Sequence, residues 1–455
     1  MADLTVVGGG LAGCEAAWQA AEQNLSVDLY EMRPLKMTGA HTSDQLAELV
    51  CSNSLGSILD DRASGLLKEE LRRLGSLLLE CARQTALPAG ASLAVDREAF
   101  ARSVTRQIED HPRIRVIRSE ITEIPSGPTI IASGPLTSEK LTRAIQELTG
   151  QDGLSFYDAI APVVTTESIN MDVAFRASRF GKGELSEGDY INCPFDKTQY
   201  QAFVAALQTA ERIPLREFEE QIRQGVKAGM DRYFEGCLPV EIIAERGSGS
   251  LAFGPMRPIG LNNPHTDRHC HAVLQLRQDN LAGSLYNLVG FQTNLTFPEQ
   301  KRVFRMVPGL EQAEFVRYGQ MHRNTFIASP MLLLPSLQLR QRPDLLFAGQ
   351  ITGVEGYLGN IATGLLAGLN AVRVIRGEPV LVLPPACMLG ALCHYITSAE
   401  LKSFQPMKAN FGILPPLSPG LRGRHERNAL HVELALTQLE LFMEQFGLIA
   451  VEPHA

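Results

Sequence analysis

Apolar and polar positions change period several times along this chain. Residues 4–7, L-T-V-V, are a short apolar run that ends in three glycines. An alanine-rich stretch with helical spacing follows, and a second run, V-D-L-Y, ends at Glu31. Run, glycine turn, helix and run together predict a β-α-β unit. A polar, flexible stretch is expected to about Glu48. Residues 66–85 place leucines at helical spacing with charges on the other face, which predicts one helix. Asp96 reads as the N-cap of another. Short strands are expected at 114–117 and 129–132, the latter running into Ser133-Gly134-Pro135.

From about residue 151 the pattern is mixed. A helix is expected near 198–212, and H-A-V-L-Q-L-R and L-Y-N-L-V-G-F read as strands. Residues 344–371 return to strand, glycine-rich turn and helix, and the last helix is expected over 425–446. The simplest organisation is an α/β dinucleotide-binding domain built from 1–150 and 321–455, interrupted by an α+β insertion at 151–320.

Composition narrows the class. A chain of 455 residues is long enough for two or three domains. A net charge of −8 argues against a protein that coats nucleic acid non-specifically, yet permits a local basic patch. The most apolar stretch, 379–396, is broken by Pro384 and Pro385 and cannot make a span of ~20 residues, so no membrane role is expected. Eight scattered cysteines form no C-x-x-C, and no metal site is expected. Thiols and a start that does not read as a leader point to the cytoplasm.

Gly8-x-Gly10-x-x-Gly13 lies between the first strand and helix. Gly8 permits the tight turn, Gly10 admits a pyrophosphate to the helix N-terminus, and Gly13 lets helix and strand pack closely. Gly9, Leu11 and Ala12 complete the loop. Glu31 follows Gly13 by 18 residues, near the spacing of an acid that accepts from a ribose 2′-hydroxyl. Gly134 offers a second approach to the same dinucleotide.

Further strings cover the chain from end to end, in order: L-Y-E-M-R-P, L-A-E-L-V-C-S-N-S-L, Y-F-E-G-C-L-P-V-E, F-G-P-M-R-P-I-G-L, Y-N-L-V-G-F-Q-T-N-L, V-R-Y-G-Q-M-H-R-N-T, A-G-Q-I-T-G-V-E-G-Y and F-Q-P-M-K-A-N-F-G. With the glycine loop they resemble the folate- and FAD-dependent tRNA (uracil-5-)-methyltransferases of bacteria. Gly56, where a basic residue is expected, and His269-Cys270-His271 depart from that pattern. The resemblance implies a Rossmann-like FAD-binding domain. It also implies formation of 5-methyluridine at position 54 in the T loop of tRNA. Carbon would come from 5,10-methylenetetrahydrofolate and electrons from NADH or NADPH through bound FAD.

Such chemistry needs a thiolate. Uracil C5 is a poor nucleophile until a soft anion adds to C6, and cysteine supplies one. The resemblance assigns Cys237 to that addition and Cys51 to the flavin side, with the reversed assignment open. The other six cysteines read as small apolar fillers. Glu235 or Glu241, which flank Cys237, could take the C5 proton. Solvated or ion-paired acids are the plainer reading of both. Gly353, Gly356 and Tyr357 are placed to line the isoalloxazine, and His322, Arg323 and Asn324 are candidates for folate. The target uridine must be flipped out of its stack, and phosphate contacts should offset that cost. Candidate basic clusters are Lys301, Arg302, Arg305, Arg317 and Arg323, then Lys402 and Lys408, then Arg422, Arg424 and Arg427. The competing readings are a related FAD-dependent wobble-uridine modification protein and a non-catalytic flavin-containing RNA-binding protein. The first is longer in its family, and the retained cysteine strings argue against the second.

Overall fold

The glycine loop lies where the sequence places it. β1 (Leu4–Val7), α1 (Leu11–Glu22) and β2 (Val27–Glu31) form a β-α-β start to a six-stranded sheet. The computed structural model describes residues 2–150, 154–159, 161–213, 238–266, 269–319, 321–401, 404–417 and 423–448. The strand order is Gln338–Leu339, Arg342–Phe347, Thr129–Ile131, β1, β2 and Ile114–Arg118. All neighbours are parallel except the edge pair 338–339 with 342–347. β1 has β2 on one side and 129–131 on the other. The chain therefore reverses its direction of winding at β1, where open α/β sheets bind ligands.

The C-terminal part supplies two strands of this sheet, 338–339 and 342–347, and one long helix against it. Tyr357–Arg376 packs along α1 with almost no space between them. A Cβ on Gly364 would fall 2.3 Å from Ala12 O, and one on Gly368 would fall 2.6 Å from Ala16 O. Small residues on both helices let the backbones touch and bring opposite ends of the chain into one core. Among the described residues this helix, not the stretch 379–396, is long and apolar enough to cross a membrane. It is a core helix, with 78% of its apolar window buried inside the protein.

Two local expectations need correction. The single helix expected over 66–85 is two, Ala63–Arg73 and Leu77–Gln84. Gly75 takes φ +75°, and the Ser76 hydroxyl accepts from Leu79 N to start the second helix. A glycine C-cap followed by a serine N-cap outweighs continuous apolar spacing. The stretch before Glu48 is also pinned. Glu48 accepts from the backbone N–H and hydroxyl of both Thr42 and Ser43, at 2.8–3.1 Å.

The middle of the chain forms a separate antiparallel sheet. Its order is Phe175–Ala177, Tyr190–Phe195, Ala272–Gln278, Leu285–Leu288, Val163–Thr165 and Phe315–Arg317. Alternation divides its residues between two faces. Ile191, Cys193, Leu274, Leu276 and Leu288 join a core with Tyr200, Phe203 and Leu207 of helix Lys197–Thr209. Tyr190, Asn192, Gln275, Arg277, Asn287 and Arg317 take the opposite face. The chain enters and leaves this region side by side, because Leu154–Ala159 pairs antiparallel with Met321–Phe326.

Candidate active site

A cleft of about 1010 Å³, open to solvent, lies at the carboxyl end of β1. Its walls come from the glycine loop, the end of β2, residues 132–138 and the turn before helix Tyr357–Arg376. Two glycines, Gly8 and Gly13, are required by close approach of main chain, and Gly9 lies close to side chains. Gly8 has φ +109°, and a Cβ there would lie 2.5 Å from Ala132 O. On Gly13 it would lie 1.8 Å from Gly8 O, and on Gly9 2.6 Å from Leu46 Cδ2. Gly10 differs, since a Cβ there would meet nothing within 4 Å. It is the N-cap of α1 and offers no side chain to the first-turn N–H groups. That opening at a helix N-terminus is the shape a pyrophosphate needs.

Glu31 lies on the cleft wall, but its carboxylate is already fully engaged. Oε1 accepts from Arg33 N (2.9 Å) and Arg33 Nε (3.1 Å). Oε2 accepts from Gly9 N (3.0 Å) and Arg33 Nη2 (3.3 Å). Burial works against its charge, yet Arg33 outweighs that and holds the carboxyl below its ordinary range. Arg33 is itself buried and bridges to Glu48 Oε2 at 3.0 Å. A ribose hydroxyl at Glu31 therefore has to share or replace one of these donors. On the opposite wall, Asn360 is 9% exposed and its Oδ1 has no partner among the described residues. A buried acceptor left unpaired costs about 1–3 kcal/mol, which a ligand donor in the cleft would offset. The open Gly10, Glu31 at the end of β2 and the unpaired Asn360 fit a dinucleotide such as FAD.

The first cysteine segment meets the cleft through a tyrosine. Val50 lines the cleft, and the Tyr357 hydroxyl accepts from both Cys51 N (2.9 Å) and Ser52 N (3.1 Å). Burial raises the Tyr357 phenol well above its ordinary range, so it stays neutral. Arg97 Nη2 donates to Cys51 O at 3.3 Å, and Arg97 Nε donates to Asp279 Oδ1 at 3.1 Å. Asn53 completes the docking. Its Nδ2 donates to Val95 O and Gln278 O, and its Oδ1 accepts from Arg277 Nε (2.8 Å) and Asn287 Nδ2 (3.0 Å). Backbone and side chain of 51–53 are thus fixed from the cofactor side and from the inserted sheet at once.

The remaining candidates are placed unevenly. Gly353 takes φ +84° and faces packing, since a Cβ would lie 2.6 Å from Phe404 Cζ. Gly356 is the N-cap of helix Tyr357–Arg376. Neither lines the cleft, whereas Gly134, Gly349 and Tyr357 do. Cys237 and Glu235 lie outside the described residues, as do Lys402 and Arg422. Glu241 is not a solvated acid. It is fully buried and accepts from Thr293 Oγ1 (2.9 Å) and Asn294 N (2.7 Å), and burial pushes its carboxyl up. His322, Arg323 and Asn324 lie on strand Met321–Phe326, with Asn324 buried. The strand abuts the cleft wall, because Thr325 N donates to Pro135 O at 2.9 Å. Of the basic candidates, Arg302 pairs with Glu299 and Arg305 donates to Ala313 O. Cys14, Cys81, Cys193, Cys387 and Cys393 are buried and their thiols pushed up by burial, as fillers would be.

Several residues escaped the sequence reading. Arg33 and Asn53 stand inside the strings E-M-R-P and C-S-N-S, yet nothing local marks them as junctions. Arg97 directly follows a recognisable N-cap, Asp96, whose Oδ1 accepts from Ala99 N at 2.8 Å. Asn360 follows Gly356 by one helical turn, which places it on the cleft side of the helix start. Arg277 sits in a run that reads only as a strand.

The family model of glucose inhibited division protein A matches residues 3–379. A methylenetetrahydrofolate–tRNA-(uracil-5-)-methyltransferase of Heliobacterium modesticaldum is 56% identical over 97% of this chain and 98% of its own length. One from Natranaerobius thermophilus is 55% identical over 97% of this chain and 99% of its own. Among solved structures, a crystal form of GidA from Aquifex aeolicus superposes with a TM-score of 0.66 at 16% identity, covering 98% of this chain and 78% of that one. That last likeness concerns the fold alone.

Proposed function

This chain belongs to the glucose inhibited division protein A family and, within it, to the methylenetetrahydrofolate–tRNA-(uracil-5-)-methyltransferases; from that premise we propose that it converts uridine 54 in the T loop of tRNA to 5-methyluridine. The balanced reaction joins the methylene of 5,10-methylenetetrahydrofolate to uracil C5 and takes a hydride equivalent and a proton from NAD(P)H and solvent. It releases tetrahydrofolate and NAD(P)⁺. The observation that carries the reading is the union of Cys51 with the cleft through Tyr357. It sets a cysteine beside a dinucleotide-shaped site in a chain without C-x-x-C. Work on tRNA would place the protein in the cytoplasm.

FAD bound in the cleft would supply the redox chemistry and handle the one-carbon unit. The chain's own residues position it. The open Gly10 and the first-turn N–H groups of α1 would receive the pyrophosphate, Glu31 with Arg33 the adenosine ribose, and Gly134 the second wall. Asn360 and Tyr357 would border the ring end. Cys237 would add to uracil C6 and Cys51 would guard the methylene at the ring. Glu235 would take the C5 proton. The strand carrying His322, Arg323 and Asn324 runs beside Pro135, within reach of a folate laid against the cleft. Residues 151–320 would form an inserted unit that presents the RNA.

The test is transfer of labelled methylene from methylenetetrahydrofolate to a tRNA transcript with NAD(P)H. Label at C5 of the T-loop uridine is expected, and Cys237→Ala should abolish it while flavin stays bound. Methylation that requires S-adenosylmethionine would sink the reading.

A further inference from the structure

The polar face of the inserted sheet carries more positive charge than its neighbours balance. Arg277 opposes Asn287, Asn287 opposes Val163, and Val163 opposes Arg317. Residues directly opposed across a ladder share a face, so both arginines lie in one row, which Tyr190 continues beyond Arg277 and which meets a register shift between Phe315 and Arg317. Arg277 is only 9% exposed, and its one hydrogen bond to a described residue is from Nε to Asn53 Oδ1. Arg317 is partly buried, and its side chain makes no hydrogen bond or ion pair among the described residues. Burial disfavours the charge on both; Arg97 repels both, next in weight at Arg317 and after a favourable Tyr190 at Arg277. Asp279 attracts both arginines and is already paired with Arg97 at 3.1 Å. Glu48 attracts Arg317 without pairing with it.

Buried or partly buried guanidinium groups without a carboxylate partner are unfavourable for the folded state, and an anion would relieve them. They do not line the cofactor cleft. Arg277 is joined to the cysteine segment instead, through Asn53, and the neighbouring Arg97 holds Cys51 O. Guanidinium forks match phosphate oxygens, and a flipped nucleotide brings its own phosphates to the pocket mouth. On a body of net charge −8, a polyanion needs such a local positive row. We propose that Arg277 and Arg317 form a phosphodiester-binding site for the RNA strand that flanks the target uridine, an assignment that rests on the tRNA methyltransferase reading above.

The test uses the flavin-loaded full chain carrying Arg317→Gln or Arg317→Lys. The Arg317 side chain anchors no hydrogen bond among the described residues, so both variants should keep their flavin, and Arg317→Gln should melt at the same temperature or higher. Affinity for the tRNA transcript should fall in Arg317→Gln, and the slope of log affinity against log KCl should shrink by about one. Arg317→Lys should keep the slope and lose part of the affinity. KM for methylenetetrahydrofolate and for NAD(P)H should not move. An unchanged salt slope overturns the proposal. So does a raised KM for either small co-substrate with tRNA binding intact, which would assign the row to a folate carboxylate or a pyridine-nucleotide phosphate. Label transfer by the wild-type protein is read separately, so failure of the methyltransferase reading is distinguishable from failure of this site.

Discussion

The two large sheets solve opposite problems. The parallel sheet is covered on one face by helices 11–22 and 357–376 and on the other by Leu141, Ile145 and residues 327–333, and its ligand site is made largely of backbone: a glycine turn, helix N-termini and strand ends. The antiparallel sheet has one apolar face, and its other face is a row of amides and arginines pressed against residues 53, 89 and 97. Shape dominates the first, because a single added Cβ collides with main chain that has nowhere to move. Charge dominates the second, where side chains are long, hydrogen-bonded and only partly balanced. A cofactor that is always the same suits the first kind of site. A polyanion that must arrive and leave suits the second.

The contrast can be broken most directly at Gly13. Gly13→Ala places a carbon 1.8 Å from Gly8 O, so backbone must shift at the cofactor loop. Overpacking between two main-chain segments should cost about 3 kcal/mol, and the purified variant should lack flavin absorbance. Retention of flavin at normal stability would refute the claim that shape rules this side. Next in size is Tyr357→Phe, at the joint between the two regions. It leaves the N–H groups of Cys51 and Ser52 without their acceptor, at about 1–3 kcal/mol in total. Flavin content should survive while kcat falls roughly tenfold, the equivalent of about 1.4 kcal/mol. An unchanged kcat would detach Cys51 positioning from the tyrosine.

The smallest effect is expected at Glu70, a buried charge on the cofactor side that serves packing. It accepts from Met388 N (2.6 Å) and Leu389 N (2.9 Å), capping helix Met388–Ser398 from a neighbouring helix. Burial pushes its carboxyl up from 4.5 to about 7, although the two N–H groups pull the other way. A raised folded-state value means the contribution is fully present below pH 4.5 and is lost as pH rises through about 7. Glu70→Gln should flatten the fall in melting temperature across that window, a change of roughly 2–4 °C, with activity at neutral pH preserved. An identical pH profile in the variant would show that Glu70 does not titrate there.

How far the site could be read in advance follows the same division. The glycine loop, Glu31, the N-cap Asp96 and the alternation of 272–278 are local signals, and each lies where its spacing indicated. The split at Gly75-Ser76 was equally local, but apolar spacing masked it. Glu31 shows the boundary of such reading. Its position followed from counting residues, whereas its four donors depend on Arg33 and the glycine loop folding around it.

By itself the sequence determined the β-α-β start, the dinucleotide-shaped turn, the return of the chain at 344–371 and the family. Those rest on contacts between residues a few places apart, which a periodic pattern or a string encodes directly. Tertiary structure alone decided which residues hold the cysteine segment and where charge is left unbalanced. Tyr357 meets Cys51 across 306 positions, and Arg277 meets Asn53 across 224. Such encounters are set by how two sheets close on one another, and loop closure over those distances leaves no period in the chain.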